Sequence, residues 1–305
     1  MLTPSMLLLA VLLATPSPEI ARARSLEETA FDLQRAGKYV EAEKPLEEAI
    51  AIWKKLRGPE DIEVLNDEIN LAASYRRRGD AMLAVDLLER VIKTLDASRA
   101  ELKLVNLRRS ALNNLAVAYL DAGRYDAARR TLGSLLEGAK GPPSDERARV
   151  LDNLANVEME LRQYERAEKH ARLALADWRA MLGEEARDVA ISMSVVGTAT
   201  MLCGRLEEAR PLLEGAVAMA ERQFGRDHPT VGSLSNLMGK LDRETGHFDS
   251  AEAHYRRALA LALKSGFTKD HPIAGDAQLG LRLLAEARAA KSATGSVSPP
   301  KPSSP

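Results

Sequence analysis

Residues 112–128 read LNNLAVAYLDAGRYDAA, and this stretch holds the strongest structural signal in the sequence. Apolar residues recur every three or four positions as far as Leu120, which is the spacing of one face of an α-helix. Gly123 then provides a residue that enters the left-handed conformation at a helix end without steric cost. A second run with the same period begins at Tyr125. The stretch therefore predicts two helices, A and B, joined by a short turn.

The same turn recurs at five other places in the chain. The turn tracts begin at Gly37, Gly79, Gly123, Arg162, Gly204 and Gly246, in steps of 42, 44, 39, 42 and 42 residues. A regular period of this length indicates an array of helical hairpins. Arg162 breaks the glycine rule, so Arg162→Gly should be neutral or stabilising if the turn needs a positive φ.

Small residues stand at two fixed distances from every turn. Five positions after the turn start lie Ala42, Ala84, Ala128, Ala167, Ala209 and Ala251, and seven positions before it lie Ala30, Ala72, Ala116, Ala155, Gly197 and Gly239. Side chains no larger than methyl at facing positions let two helix axes approach closely. We therefore predict that helices A and B of each hairpin cross at these positions.

The pattern resembles the tetratricopeptide repeat, whose helix A carries Leu-Gly-x-x-Tyr and whose helix B carries an alanine. Residues 71–75 (LAASY) and 115–119 (LAVAY) match that helix A closely. The period near 42, the LNNLA of residues 112–116 and the linkers GRDHP at 225–229 and TKDHP at 268–272 are similar to the kinesin light chain variety of the repeat. Three units depart from the pattern, because Glu158, Thr200 and Asp242 replace the tyrosine. Repeats four to six should therefore pack less typically.

The resemblance implies an all-α fold: a right-handed superhelical solenoid of about six helix-turn-helix tetratricopeptide-type repeats with a C-terminal capping helix. The repeat domain is expected over residues 24–290, with repeats at about 25–58, 63–97, 105–139, 145–182, 188–224 and 229–265 and a cap at 272–290. Residues 291–305 are rich in proline and serine, which predicts a disordered tail.

The N-terminus contains nine consecutive apolar residues, MLLLAVLLA at residues 6–14. A membrane-spanning helix needs about 20, so this run is too short to span. Ala21-Arg22-Ala23 follows as a small-x-small cleavage pattern, and residues 1–23 are predicted to be a signal peptide. The mature protein would then be periplasmic or extracellular, with no stable membrane span after cleavage. The alternatives are a frayed apolar segment or a start at Met6, and the protein would then be cytoplasmic.

The composition offers little support for catalysis, cofactors, metals or nucleic acid. Formal net charge is -1, from 43 basic and 44 acidic residues, so no electrostatic reason for nucleic-acid binding exists. No phosphate loop, HExxH or GxSxG motif is present. His247 and His254 lack a third ligand for a metal site. Cys203 is expected to be a buried free cysteine, although the nearby Arg205 leaves a reactive thiol open.

Four other residues are assigned to packing by their repeated positions. His228 and His271 occupy matching linkers, so they are expected to cap a helix or to pack. Trp53 and Trp178 occupy the same slot, sixteen residues after a turn start, and are expected to pack between successive repeats. Stacking of a ligand on these tryptophans is the alternative interpretation.

The resemblance implies that helices A line a concave groove that holds a peptide. The residues carried onto that groove are Asn70, Arg76, Arg77, Asn113, Asn114, Asn153, Asn156, Thr198, Asn236, Lys240 and Arg243. A carboxamide both donates and accepts, so it can hold a peptide backbone, while the cationic residues could select acidic side chains or a carboxylate. In the alternative interpretation, the asparagines bond to neighbouring turns and the arginines are solvated.

The leading functional prediction is a non-catalytic scaffold or adaptor that binds peptide segments of partner proteins. The alternative is a structural component of an envelope complex, assembled through helix edges or end caps. The sequence leaves the partner and the oligomeric state open, because a repeat family fixes an architecture and leaves the ligand undetermined.

Overall fold

The computed structural model describes residues 17–97, 102–139 and 141–295, and these residues form thirteen α-helices and no strand. The helices are α1 (Pro18–Arg35), α2 (Tyr39–Arg57), α3 (Ile62–Arg78), α4 (Ala81–Ala97), α5 (Leu102–Asp121), α6 (Tyr125–Gly138), α7 (Asp145–Glu160), α8 (Tyr164–Leu182), α9 (Arg187–Leu202), α10 (Leu206–Phe224), α11 (Pro229–Glu244), α12 (Phe248–Lys264) and α13 (Pro272–Gly295). In chain order they alternate as helix A and helix B of the six predicted repeats, and α13 follows the last. The predicted all-α class of helix-turn-helix repeats is confirmed.

The helices form two compact units, with the boundary between Ala118 and Tyr119 inside α5. The first unit contains the hairpins α1–α2 and α3–α4. The second contains the hairpins α7–α8, α9–α10 and α11–α12, together with α6 and α13.

The turns between helices A and B have the predicted backbone conformation. All five turn glycines have a positive φ, for example 76° at Gly37 and 104° at Gly79. Arg162 has φ 58° and is the one non-glycine residue with positive φ in the described part of the chain. Because a side chain costs about 1–2 kcal/mol in this region, Arg162 carries local strain that the glycines avoid.

The small-residue positions are buried, as predicted, and the six helix B alanines are fully so. At the two glycine positions there is no room for a Cβ atom. A Cβ at Gly197 would lie 2.8 Å from Leu213 Cδ2, and a Cβ at Gly239 would lie 2.8 Å from Tyr255 Cδ1. Ordinary van der Waals contact requires about 3.5 Å or more, so alanine would force the helices of these hairpins apart.

The first helix begins at Pro18, seven residues before the predicted start of the first repeat at residue 25. Ser17 caps it by accepting a hydrogen bond from the Ile20 amide at 3.3 Å, and Pro18 occupies a first-turn position that tolerates proline. The helix therefore includes the last six residues of the predicted signal peptide, among them the fully buried Ala23. Residues 1–16 lie outside the described residues.

The final helix packs on α12 and extends further than predicted. It continues to Gly295, five residues past the expected end at 290, and residues 296–305 of the predicted tail lie outside the described residues. The ring of Tyr255 packs directly against Gly280 as well as against Gly239. Arg288 adds ion pairs to Asp249 at 2.6 Å and to Glu252 at 2.5 Å.

The two linker histidines cap helices, as predicted. His228 Nδ1 accepts a hydrogen bond from the Thr230 amide at 3.1 Å, and its ring stacks on Phe224. His271 Nδ1 accepts from the Ile273 amide at 3.2 Å and stacks on Phe267, with 3.7 Å between ring centroids. Each histidine thus satisfies a free amide at the start of the helix that follows it.

Candidate functional site

In the second unit, three of the predicted groove residues stand at the same repeat position. Asn156 on α7, Thr198 on α9 and Lys240 on α11 each lie six residues before a turn start, and all three are half-buried. We call these three residues the inner row. Successive helices A therefore contribute a carboxamide, a hydroxyl and an ammonium group to one row.

The inner row retains hydrogen-bonding capacity. Neither Asn156 nor Lys240 forms a hydrogen bond or ion pair with any other residue that the structure describes. The Thr198 hydroxyl donates to the carbonyl of Ser194 at 2.7 Å, which leaves its oxygen available as an acceptor. The row can therefore both donate to and accept from a bound molecule.

Asn236 lies one helical turn before Lys240 and is 8% exposed. Its Nδ2 donates to the carbonyl of Ile273 in α13 at 2.8 Å, so the carboxamide joins α11 to the last helix. Its Oδ1 is buried and has no hydrogen-bond partner in the described part of the chain. A buried acceptor without a donor costs about 1–3 kcal/mol, so this atom is a position where a ligand donor would be stabilising.

Two carboxylates lie beside the inner row. Glu160 follows Asn156 by one helical turn and accepts a hydrogen bond from Tyr125, and its negative charge raises the pKa of that tyrosine. Burial raises the pKa of Asp276 on α13, the charge of Glu160 raises it further, and the charge of Lys240 lowers it. Asp276 is nevertheless solvent-accessible.

The remaining predicted residues of this unit are more engaged with the protein. Arg243 interacts with the Tyr255 hydroxyl, where its hydrogen bond lowers the pKa of a tyrosine that burial otherwise raises, and it lies 3.6 Å from Glu244. Asn153 also has a partner within the protein. These contacts reduce the capacity of Arg243 and Asn153 to bind a partner.

The predicted groove residues of the first unit make contacts within the protein as well. The main-chain carbonyl of Asn70 accepts from Gln34 at 3.0 Å. The Arg77 guanidinium lies 5.8 Å from the centroid of the Tyr39 ring, and Asn114 donates to the carbonyl of Ser110 in its own helix at 3.0 Å. Arg76 and Asn113 likewise have partners. Asn70 uses only its main-chain carbonyl in this contact, so its carboxamide keeps its hydrogen-bonding capacity, whereas the other four residues have partners.

Two tryptophan-carboxylate pairs were not anticipated. Trp53 Nε1 donates to Glu27 at 2.5 Å, and Trp178 Nε1 donates to Asp152 at 2.8 Å. Both tryptophans are almost completely buried, as expected of residues that were predicted to pack between successive repeats. The signal was present in the sequence, since each acid lies 26 residues before its tryptophan.

The acids that replace the repeat tyrosine are buried and paired. Glu158 contacts His170 Nδ1 at 2.7 Å and Arg166 at 3.1 Å. Asp242 contacts Arg210 at 2.9 Å and, at 3.5 Å, the histidine His254. Thr200, at the same position in the fifth repeat, donates to Glu168 at 3.2 Å. The expected atypical packing of repeats four to six therefore takes the form of polar contacts between helices A and B.

Both units have a cavity on the helix B side. A cavity of about 620 Å³ in the first unit is lined by residues that include Tyr75, Leu83 and Leu87. One of about 550 Å³ in the second unit is lined by residues that include Leu154, Arg166 and His170. Several repeat positions line both cavities, and each wall combines charged and apolar side chains, for example Glu47 and Leu71 in the first unit and Arg166 and Leu154 in the second. Neither cavity includes a predicted groove residue.

Cys203 is half-exposed, which corrects the expectation of burial. The reason is its position as the C-terminal cap of α9, beside the turn glycine Gly204. Its Sγ lies 4.0 Å from Glu168, and Arg205 contacts both groups.

No helix in the described ranges is long and apolar enough to cross a membrane.

The sequence profile of the tetratricopeptide repeat matches residues 21–97, 107–180 and 188–264. The chain belongs to the tetratricopeptide repeat family. A relative named as a kinesin light chain-related protein of Arabidopsis thaliana is 26% identical over 255 residues, which cover 80% of this chain and 40% of the relative. The chain thus spans about two fifths of that protein's length, and the predicted similarity to the kinesin light chain variety is confirmed.

Solved structures show the same fold. BtubC (BKLC) from P. vanneervenii is 20% identical with a TM-score of 0.52, and the match covers 84% of this chain and 96% of that one. A Rap protein complexed with competence and sporulation factor is 15% identical with a TM-score of 0.56, covering 89% and 90%. The family and fold are those of protein-interaction scaffolds, which are generally non-catalytic.

Proposed function

We propose that this protein is a non-catalytic scaffold that binds a peptide segment of a partner protein along the helices A of its second unit. The observation that carries the proposal is the inner row of Asn156, Thr198 and Lys240. The helices A of three successive repeats, α7, α9 and α11, present polar groups with unused hydrogen-bonding capacity at one repeat position.

An extended peptide suits such a row for a physical reason. Its backbone exposes donors and acceptors at regular intervals, and each must find a partner when water is removed. Asn156 can supply a donor and an acceptor, Thr198 an acceptor and Lys240 a donor. Binding through the backbone would tolerate many peptide sequences, which is the behaviour expected of an adaptor.

The perturbed acids of the chain support a structural role more than catalysis. Burial raises the pKa of Asp67 and of Asp152 to about 7 in each case. Perturbed acids often mark active sites, but these two are 2% and 8% exposed and lie within the helix packing. A substrate would have no access to them without opening the hairpins.

The test is binding of fluorescein-labelled random-sequence peptides, measured by fluorescence anisotropy. The variant Asn156→Ala with Thr198→Val should weaken binding about tenfold, because two hydrogen-bonding positions are lost. The matched control changes two exposed residues of helices B in the same unit, Ser134→Ala and Lys169→Ala, and should bind like the unmodified protein. Equal binding by all three proteins, or no binding by any, would contradict the proposal.

We also propose export, on the basis of the apolar run at residues 6–14 and the Ala-Arg-Ala pattern that ends at Ala23. Cleavage there would remove the start of α1, including ion pairs from Glu19 to Lys55 and from Arg22 to Glu48. Both pairs are largely exposed and worth little, so the remaining helix should persist. Mass spectrometry of the natural N-terminus decides the question: a start at Arg24 supports export, and an intact Met1 contradicts it.

A further inference from the structure

The cavity of about 550 Å³ in the second unit is formed by α6, α7 and α8. Leu136 on α6 and Leu154 on α7 provide apolar walls, and Arg166 and His170 on α8 provide polar ones. Small-molecule sites occupy about 300–1,000 Å³, so the volume is sufficient for a small ligand. The cavity includes no residue of the inner row and is therefore a separate feature of the unit.

Gly133, in the middle of α6, leaves one side of this cavity open. Glycine destabilises a helix interior relative to alanine, so its presence there needs a reason. Close packing is not that reason, because a Cβ at Gly133 would meet no neighbouring atom within 4 Å. At the same position, ten residues after the turn start, every other repeat carries a charged residue: Glu47, Glu89, Arg172, Glu214 or Arg256. The missing side chain thus gives access to the cavity.

The polar wall of the cavity is oriented by Glu158, which is fully buried on α7. His170 Nδ1 lies 2.7 Å from Glu158 Oε2, and the other ring nitrogen, Nε2, has no hydrogen-bond partner in the described part of the chain. Arg166 lies 3.1 Å from Glu158 Oε1, but that oxygen accepts no hydrogen bond from any described residue. The Arg166 guanidinium therefore keeps its N–H donors for a ligand.

The charged groups around the cavity favour an anion. Arg147 is a third cation in the wall, where it donates to the carbonyl of Gly141 at 2.8 Å and lies 3.3 Å from Asp177. Asp177 and Glu158 are buried and do not line the cavity, and Glu137 is the one carboxylate among the described lining residues. A ligand that enters therefore meets chiefly N–H donors and apolar side chains.

We propose that this cavity binds a small organic carboxylate that carries a short apolar chain. The carboxylate accepts two parallel hydrogen bonds from Arg166, and His170 in its protonated form donates a third from Nε2. The chain lies against Leu136 and Leu154, where it is removed from water, and Gly133 provides the entrance. This site goes beyond the proposed peptide binding, because it lies on the helix B side and includes no predicted groove residue.

The experiment is ligand-observed NMR with hexanoate, in which broadening of the ligand methyl signal measures binding. Three analogues test the chemistry: hexanamide keeps the chain without the charge, hexylamine inverts the charge, and acetate lacks the chain. The unmodified protein should bind hexanoate with a Kd of about 1 mM and each analogue about tenfold more weakly or not at all. The proposal is wrong if hexanoate does not bind, or if any analogue binds as tightly.

Arg166→Gln should weaken hexanoate binding about tenfold, because the charged pair of hydrogen bonds is lost. The matched control is Arg256→Gln, which removes the same charge from an exposed position on α12 and should bind hexanoate like the unmodified protein. Equal losses in the two variants would show an effect of net charge and contradict the site. Circular dichroism melting curves verify that each variant is folded.

Gly133→Glu and Gly133→Ala test the entrance. Gly133→Glu places at the opening the side chain that Glu47 provides in the first repeat and should abolish hexanoate binding, whereas the methyl group of Gly133→Ala should retain it. Both replace a glycine inside a helix, so Tm should rise by about 2 °C and the loss of binding is separated from unfolding. Unchanged hexanoate binding by Gly133→Glu would overturn the proposal. Binding of the random-sequence peptides should be the same in both variants, so the two sites are tested independently.

Discussion

Trp53 in the first unit and Trp178 in the second occupy the same repeat position, and each has an acid and an arginine beside it. Their surroundings differ in two further contacts: Arg57 also lies over the Trp53 ring, 4.7 Å from its centroid, and the next repeat contributes a different residue. Each indole donates to an acid that lies 26 residues earlier, Glu27 or Asp152. An arginine lies over each ring, Arg24 at 5.1 Å and Arg149 at 5.4 Å from the centroid. The two regions are therefore built on one plan.

The difference with the larger consequence is at the residue that the next repeat places beside the acid that accepts from the tryptophan. In the second unit Ser192 donates to Asp152 at 2.8 Å, so the buried carboxylate has two donors. In the first unit the equivalent residue is Asp67, which forms a hydrogen bond with Glu27, and two carboxyl groups can share a hydrogen bond only if one is protonated. The other Asp67 oxygen is buried without a partner. The hydroxyl donor of Ser192 in one unit thus corresponds to a second carboxyl group, that of Asp67, in the other.

The largest effect is expected from the tryptophans themselves. Trp178→Phe should lower the free energy of unfolding by about 3 kcal/mol, because Asp152 loses a donor while it stays buried and a gap opens in the packing. Trp53→Phe should cost less, about 1–2 kcal/mol, since the Glu27 side chain is partly exposed. Guanidinium chloride denaturation measures both, and equal losses would contradict the comparison.

The second prediction concerns Asp67, which is replaced by the serine found at the equivalent position of the second unit, and the pH dependence of the free energy of unfolding. Burial and the nearby acids raise the pKa of Asp67 to about 7 in the folded state, from 3.8. A raised acid pKa favours the folded state when the acid is protonated, so this contribution is complete below about pH 4 and is lost as pH rises to about 7. Asp67→Ser should therefore stabilise the protein by about 2 kcal/mol at pH 8 and hardly at all at pH 4.

The reciprocal variant provides the control. Ser192→Asp brings the carboxyl pair into the second unit and should destabilise it more at pH 8 than at pH 4. Asp152 keeps its own raised pKa in the Asp67→Ser variant, so part of the pH dependence should remain there. Unfolding free energies that change by the same amount at both pH values would show that Asp67 is not protonated in the folded protein.

The smallest effect is expected at the turns between helices A and B. Arg162, in the second unit, occupies a turn position at which the other five repeats have glycine. Arg162→Gly should stabilise the protein by up to about 1 kcal/mol, since glycine adopts φ 58° without strain. The matched change Gly79→Arg in the first unit, at φ 104°, should destabilise it. Thermal unfolding followed by circular dichroism compares them, and a loss of stability in Arg162→Gly would mean that the arginine side chain stabilises this turn.

The repeated parts of the fold were predictable from the sequence, because spacing alone identifies the turns and the alanine positions. The start of α1 was also available in Ser17 and Pro18, which form a recognisable helix N-terminus. The acids at the tyrosine position were seen, but their partners were not. His170 and Arg166 reach Glu158 from a second helix, and no periodic pattern reports which side chains meet across a hairpin.

The candidate site was predictable only in part. The helix A positions of Asn156, Thr198 and Lys240 follow from the repeat, and peptide binding there stays a prediction. The hydrogen bond from Asn236 to the carbonyl of Ile273 did not follow, since α13 was read only as a cover for the last hairpin. That contact depends on how the helices of the second unit are arranged in space, which the spacing of residues along the chain does not encode.

The ring of Tyr255, held between Gly239 and Gly280, also determines how this array can be lengthened. A new hairpin inserted between α12 and α13 would have to offer the last helix an aromatic ring at the position of Tyr255 and would itself need a glycine opposite that ring. Copies of the other hairpins carry leucine or alanine at the position of Tyr255, so they do not provide the ring. Residues 229–295 therefore form a single terminal cassette, and repeats can be added or exchanged only upstream of it.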